Sequence, residues 1–398
     1  MKIFNARNGL SNFFGKLKEG KDVHIGYLGG SITLAEGYRP QTLKWLQEQF
    51  PAAKISHTNA GIGGTGSTLG VCRIDKDILA HKPDLVFVEF STNDCEHTKP
   101  EWCMSAMEGI VRKIWTDNPE TDICFLYTIN RQQRTALHDG LLYWTAETME
   151  KIADHYGIPS INMGIEVVRL EKEGKLIFQV ERDSQEEKDA REKGVNVFSY
   201  DHVHPTLDDG HGLYTKIISE CLTELSGKCE TAERSLEKSL GEAPWTKANL
   251  QPISKTDLSG EWETIDAEKE GLSCANIHRL NPLWKSETPG AKINFKFRGT
   301  GFGLFCIFGL NSGQFKVCID EKTKENTPLF DKYGNRYRVH YTMIATGLED
   351  KEHDVVLELD PEAPDRSVLS PDRPVDDPAK LEGLVAYVGG LLLIGEKV

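Results

Sequence analysis

From residue 23 to about 227, short apolar runs alternate with longer amphipathic segments, and few architectures accommodate that rhythm. The apolar runs are His24–Leu28, Lys54–Asn59, Asp84–Phe90, Asp122–Ile129 and Pro159–Met163. Between them lie segments such as QTLKWLQEQF (Gln41–Phe50) and EWCMSAMEGIVRKIW (Glu101–Trp115). Runs of near-continuous apolar character are buried on both faces, so the pattern predicts an α/β fold: a parallel sheet with helices on both sides. In such sheets the ligand crevice lies beyond the C-terminal strand ends. Ser31, the glycines of 61–67 and Ser91–Asp94 each follow one of the first three strands, which places three polar or glycine-rich turns on one rim.

The segment ERDSQEEKDAREKG (Glu181–Gly194) interrupts the rhythm and reads as a helical insertion or mobile loop with a solvated face. A helix from about Asp208 to Leu225 closes the first domain. The boundaries read as a domain over 1–227, a polar linker over 228–256, and a second domain over 257–398. In the last, KINFKFRG, GFGLFCIFG, FKVCID, YRVHYTMIA, HDVVLELD and LVAYVGGLLLIG are strand-like runs broken by Gly, Asn, Asp and Pro. They predict an antiparallel, jelly-roll-like β-sandwich. Two domains agree with 398 residues.

A net charge of −14 without a Lys/Arg cluster excludes nucleic acid and anionic membrane surfaces as expected partners. No run is long enough to span a bilayer, and MKIFNARNGLSNFF lacks the apolar core of a signal peptide. Nine cysteines scattered singly through apolar segments suggest reduced thiols and a cytoplasmic setting. With no CxxC and no GxxxxGK[ST], neither a structural zinc nor a nucleotide is expected, and no cofactor. A homo-oligomer is left open.

The first strand ends in HIGYLGGSIT, where Gly29 and Gly30 remove every side chain just before Ser31. A serine there is either part of a tight turn or a nucleophile, and a nucleophile needs a base and oxyanion donors. YDHVHPTLDDGHG offers Asp201 and His204 three apart, a spacing that sets a carboxylate beside an imidazole. An acidic helix cap would look similar. His202 and His211 are competing bases, and Asp201, His202 and His204 could also ligate a metal, though no further carboxylate cluster supports that. NAGIGGTGS (Asn59–Ser67) supplies unscreened backbone N–H groups, and in STND the Asn93 amide could donate to an oxyanion or merely cap a helix with Asp94.

Taken in order, GGSIT, NAGIGGTGS, STND and DHVH resemble the four blocks of the SGNH (GDSL-type) hydrolase superfamily. The resemblance covers about the first 225 residues and implies a flavodoxin-like, three-layer fold. It further implies Ser31 as nucleophile, His204 as base and Asp201 as its partner, with the Ser31 amide, Gly64 and Asn93 forming the oxyanion hole. Gly64 fits the family's N-x-G-x-x-G register, with Gly63 as the neighbouring alternative. Arg73 falls where the family often keeps a structural arginine. Two departures stand out: the family's GDS is Gly29-Gly30-Ser31, and its GxND is Ser91-Thr92-Asn93-Asp94. On this reading the two glycines clear room for an acyl carbonyl and let the chain turn at the rim.

A β-sandwich appended to such a domain resembles bacterial carbohydrate acetylesterases, including mannan and xylan deacetylases. This implies a serine esterase acting on acetylated, hemicellulose-derived oligosaccharides through an acyl-enzyme. Trp262, Trp284 and Tyr333 are candidate sugar platforms, although each also suits a core or an interface. A lipase or acyl-thioesterase of the same superfamily, and a non-catalytic sugar-binding protein, are the competing readings. No apolar lid is visible for the lipase.

Overall fold

The five apolar runs become five parallel strands in a computed structural model, which describes residues 1–227, 234, 236, 238–241 and 245–398. These strands are β2 (Val23–Gly29), β3 (Ile55–Gly61), β4 (Leu85–Glu89), β5 (Asp122–Tyr127) and β6 (Ser160–Asn162), and Phe4–Asn5 (β1) adds to β6 antiparallel. The sheet runs β1-β6-β5-β4-β2-β3. Leaving β1 aside, this is the flavodoxin-like order, and the chain reverses direction across the sheet between β2 and β4. Strands β4 and β5 are buried at every position, in keeping with sequences that are apolar but for Glu89 and Asp122 at their ends.

Helices cover both faces. On one side α4 (Ser67–Asp77), α6 (Pro100–Asp117) and α8 (Trp144–Tyr156) pack in succession; on the other lie α1 (Ser11–Lys18), α3 (Tyr38–Gln49), α9 (Met163–Lys172) and α11 (Gly212–Ser226). Leu10, Phe13, Phe14, Tyr27, Phe87, Leu126, Phe198 and Tyr214 build the core of this second side. Two short helices begin at the rim: α2 (Ser31–Leu34) follows β2, and α5 (Ser91–His97) follows β4. A further helix, α7 (Arg131–His138), follows β5 behind an Asn130 capping box.

The charged insertion is ordered. Its helix α10 (Gln185–Glu192) lies between β7 (Leu176–Gln179) and β8 (Asn196–Ser199), which pair in parallel as a separate two-stranded sheet. Ser184 caps it, and Glu187 accepts from Arg191 and from the Tyr200 hydroxyl, tying the helix to the residue before Asp201. The helix expected from Asp208 instead opens with a π-helical turn, Leu207–His211, before α11.

The chain divides into two compact units, Met1–Thr246 and Lys247–Val398. Of the expected linker, residues 228–233, 235, 237 and 242–244 lie outside the described residues. Two other parts of it are built into the units. Buried Glu108 takes the N–H groups of Leu240 and Gly241 at 2.6 and 2.8 Å, which docks that segment on α6. Ala248–Pro252 is a strand paired with Ala386–Lys397, because its polar residues satisfy backbone pairing while Ala248 is buried.

Where a β-sandwich is expected, the described strands of the second unit form one large antiparallel sheet of ten strands. Its two longest strands, Lys292–Phe308 and Arg338–Leu359, pair from Lys292↔Glu358 to Phe308↔Arg338, with register shifts beside Gly301 and Gly303 that bend them. Ile293, Phe295 and Phe297 alternate inward and join Phe302, Leu304, Val355 and Leu357 in the core. Trp262 and Trp284 pack on this core, Trp284 Nε1 donating to the Ile253 carbonyl at 2.9 Å, and Tyr333 has Lys332, Arg373 and Arg338 over its ring at 4.9–5.6 Å. Among the described residues no helix is long and apolar enough to cross a membrane, and the eight cysteines described are free.

Candidate active site

Ser31 stands at the head of α2, where β2 leaves the sheet beside β4, so the topological reversal and the serine coincide. His204 Nε2 lies 2.8 Å from Ser31 Oγ, and His204 Nδ1 lies 2.7 Å from Asp201 Oδ2. The three side chains thus form one hydrogen-bonded line between residues 173 positions apart. The other carboxylate oxygen of Asp201 accepts the backbone N–H groups of Val203 and His204 at 3.1 and 2.8 Å, so one residue both shapes the loop and holds the imidazole. Partial burial alone would raise the Asp201 carboxyl, but the hydrogen bonds from His204 and the backbone outweigh it and hold it well below the usual range. An ionised Asp201 fixes the proton on His204 Nδ1 and leaves Nε2 free to accept the serine proton.

Neither competing histidine reaches the serine. His202, in a left-handed conformation (φ 68°), points its Nε2 at Arg131, 2.7 Å away. Burial pushes His211 down to about 4, and its neutral Nδ1 accepts the Tyr38 N–H at 3.1 Å. Asp201 and His204 bond to each other, and among the described residues no group of three or more His, Cys, Asp or Glu side chains is placed to hold a metal ion.

The structure reassigns the glycine pair. A Cβ on Gly29 would lie 2.3 Å from Thr33 Oγ1, and one on Gly30 would lie 1.9 Å from Asn93 Oδ1. The missing side chains therefore admit Thr33 and Asn93 rather than a substrate carbonyl. Asn93 is nearly buried, and its Oδ1, pressed against Gly30, has no hydrogen-bond partner among the described residues. The glycine loop comes alongside: a Cβ on Gly63 would sit 3.7 Å from Ser31 Cβ, while Gly64 has φ 68° and open space around it. Ile62 N–H donates to Gly29 O at 3.1 Å, and Asp94 receives Ser67 N–H at 2.8 Å, fastening the loop at both ends. A serine, an imidazole held by a carboxylate, a neighbouring side-chain amide and an unscreened glycine loop can together perform acyl transfer.

Residues 27–211 match the model of the GDSL-like Lipase/Acylhydrolase family. The chain carries a GDSL-type acylhydrolase domain. It is thereby an enzyme of the carboxylic-ester-hydrolase class. The whole chain is similar to a two-domain esterase (CEX) active on acetylated mannans, solved with and without mannopentaose. The mannopentaose complex is 21% identical with a TM-score of 0.74, covering 99% of this chain and 97% of that one. The other structure is 21% identical with a TM-score of 0.75, covering 98% and 97%. No curated protein matches the chain in sequence.

Behind the serine of this acylhydrolase domain, three groups carry structure. Arg73, almost fully buried, pairs with Asp77 at 2.8 Å and reaches the Gly29 carbonyl at 3.3 Å, holding the end of β2. Burial raises the Asp94 carboxyl to about 6 despite its bonds to Ser67. Glu89, at the end of β4, is fully buried, accepts from Thr33 and Thr128, and went unnoticed in the sequence. A single acid inside the otherwise apolar VFVEF was the available signal. Beside His204 the acylhydrolase domain opens a pocket of about 380 Å³ lined by Arg182, Arg191, Tyr200, Asp208 and Asp209.

Proposed function

We propose that the protein is a serine esterase that removes acetyl groups from acetylated oligosaccharides of hemicellulose origin, such as mannan or xylan fragments. The hydrogen-bonded line Ser31–His204–Asp201 carries this reading. In the first half-reaction His204 Nε2 takes the Ser31 proton, and Oγ attacks the acetyl carbonyl. The tetrahedral oxyanion is received by the Ser31 and Gly64 N–H groups and Asn93 Nδ2. Collapse expels the sugar hydroxyl, which takes the proton from His204 and leaves acetyl-Ser31. Water, deprotonated by the same imidazole, attacks the acyl-enzyme, and acetate leaves.

The sugar assignment is supported by the end-to-end likeness to an esterase active on acetylated mannans. The polar, charged pocket beside His204 suits hydroxyl-bearing groups better than acyl chains. In a cytoplasmic setting the substrates would be imported oligosaccharides rather than polymer. A panel of acetylated manno-, xylo- and gluco-oligosaccharides, set against esters of long acyl chains, tests the substrate class. Acetate release from at least one sugar is expected. Turnover of long acyl esters alone would move the protein to the lipase or thioesterase class, and sugar binding without any hydrolysis would make it a non-catalytic binding protein.

A further inference from the structure

Glu89 is fully buried at the end of β4, and the steps above make no use of it. Its two oxygens reach opposite halves of the site. Oε2 accepts from Thr33 Oγ1 at 3.1 Å, two residues along α2 from Ser31, and the Gly30 N–H also donates to the carboxylate. Oε1 accepts from Thr128 Oγ1 at 2.6 Å, and Thr128 Oγ1 lies 2.7 Å from Thr92 Oγ1, on the residue before Asn93. Beyond Thr33, the Tyr38 hydroxyl lies 2.8 Å from Thr33 Oγ1.

Each hydroxyl has one proton to give. With Glu89 ionised, Tyr38 donates to Thr33, Thr92 donates to Thr128, and both threonines nearest the carboxylate donate to it. Every link then uses one proton, and the nucleophile turn and the oxyanion helix pull on one rigid group. Adding a proton to Glu89 reverses the Thr128–Thr92 side: Thr128 turns to Thr92, and Thr92 to Gln133 Oε1, 3.2 Å away. We propose that ionised Glu89 is a positioning residue that locks the Ser31 turn to the Asn93 helix, so that its protonation lowers turnover without weakening substrate binding.

The surroundings make that protonation accessible. Burial pushes the Glu89 carboxyl up to about 7, against the bonds from Thr128, Thr33 and Gly30. Asp94 on α5 adds like charge, Tyr38 on α3 and Tyr214 on α11 are the other titratable groups that feel it, and among the described residues no cation bonds to it. Arg73 on α4 bonds to Asp77 and to the Gly29 carbonyl.

The inference rests on the serine-esterase reading. Glu89→Gln imitates the protonated form, since its amide nitrogen can only donate. The experiment measures kcat and KM from about pH 5 to 9 for parent and Glu89→Gln, with the rate at which a fluorophosphonate labels Ser31. Misplacement by about 1 Å can cost roughly a hundredfold, so a tenfold to hundredfold fall in kcat is expected, with KM within about threefold. The acid limb of the parent's profile should be one proton steeper than the variant's. A variant with kcat within about twofold and an unchanged acid limb would overturn the inference. Should Glu89→Gln not fold, Thr128→Val and Thr128→Ser decide: loss in the first and retention in the second support it, and equal activities refute it. A parent whose Ser31 resists labelling overturns the esterase reading and this inference together, whereas normal labelling beside an unchanged variant overturns this inference alone.

Discussion

On the proposed mechanism, Gly30→Ala should disable the oxyanion donor Asn93 without altering that residue. The new Cβ would sit 1.9 Å from Asn93 Oδ1, 2.7 Å from its Cγ and 3.2 Å from its Nδ2. Ordinary carbon contacts lie near 3.5 Å, so the amide must retreat by more than about 1 Å. That moves Nδ2 out of reach of a developing oxyanion. Loss of one such donor costs about 10²–10³ in kcat, or roughly 3–4 kcal/mol. Gly30→Ala should therefore approach Asn93→Ala in kcat for hydrolysis of an acetyl ester. The double variant decides the mechanism. Once Asn93 is truncated the clash is gone, so Gly30→Ala added to Asn93→Ala should cost almost nothing, a strongly non-additive cycle. Full activity in Gly30→Ala, or losses that simply add, would refute the claim that the glycine exists to seat Asn93.

Two further outcomes concern stability. Gly64→Ala meets no neighbouring atom but inherits φ 68°, so urea unfolding should show a loss of roughly 1–2 kcal/mol, whereas Gly63→Ala, at ordinary contact from Ser31 Cβ, should show almost none. His211 is held neutral, with its folded value pushed down to about 4; the unfolded chain binds this proton first, so its contribution is intact above about 6.5 and declines as pH falls toward 4. His211→Asn keeps an acceptor for the Tyr38 N–H and should flatten that decline in denaturant titrations across this window; an equal slope in both proteins would contradict it.

What the sequence reveals and what it hides follow from range. Strands β2, β4 and β5 are legible because burial on both faces demands near-continuous apolar runs, while the edge strand β3, ISHTNAG, is mostly half-exposed and polar, and the order of Gly, Asn and His blocks along the chain marks the shared rim. Helix ends are less legible: the helix expected at Gln41–Phe50 occupies Tyr38–Gln49, and β1 is a two-residue addition with no pattern of its own. The role of Gly30 could not be read, since the atom that excludes a side chain there belongs to Asn93, on another element. Likewise Ala248–Pro252 looks like linker because an edge strand needs only backbone partners. Glu89 was readable in principle: an acid within VFVEF breaks the rule of a doubly buried strand, and such breaks tend to sit where a fold does chemistry.

The central claim is that Ser31, activated by His204, carries the acetyl group. Its most direct test is acetate release from an acetylated manno-oligosaccharide by the parent and by Ser31→Ala, a substitution that leaves the Asp201–His204 pair in place. Turnover by the parent, with loss of all but a trace in Ser31→Ala, is the predicted result. Comparable release by both proteins would contradict the account, because the acetyl group would then leave by a route that does not pass through Ser31.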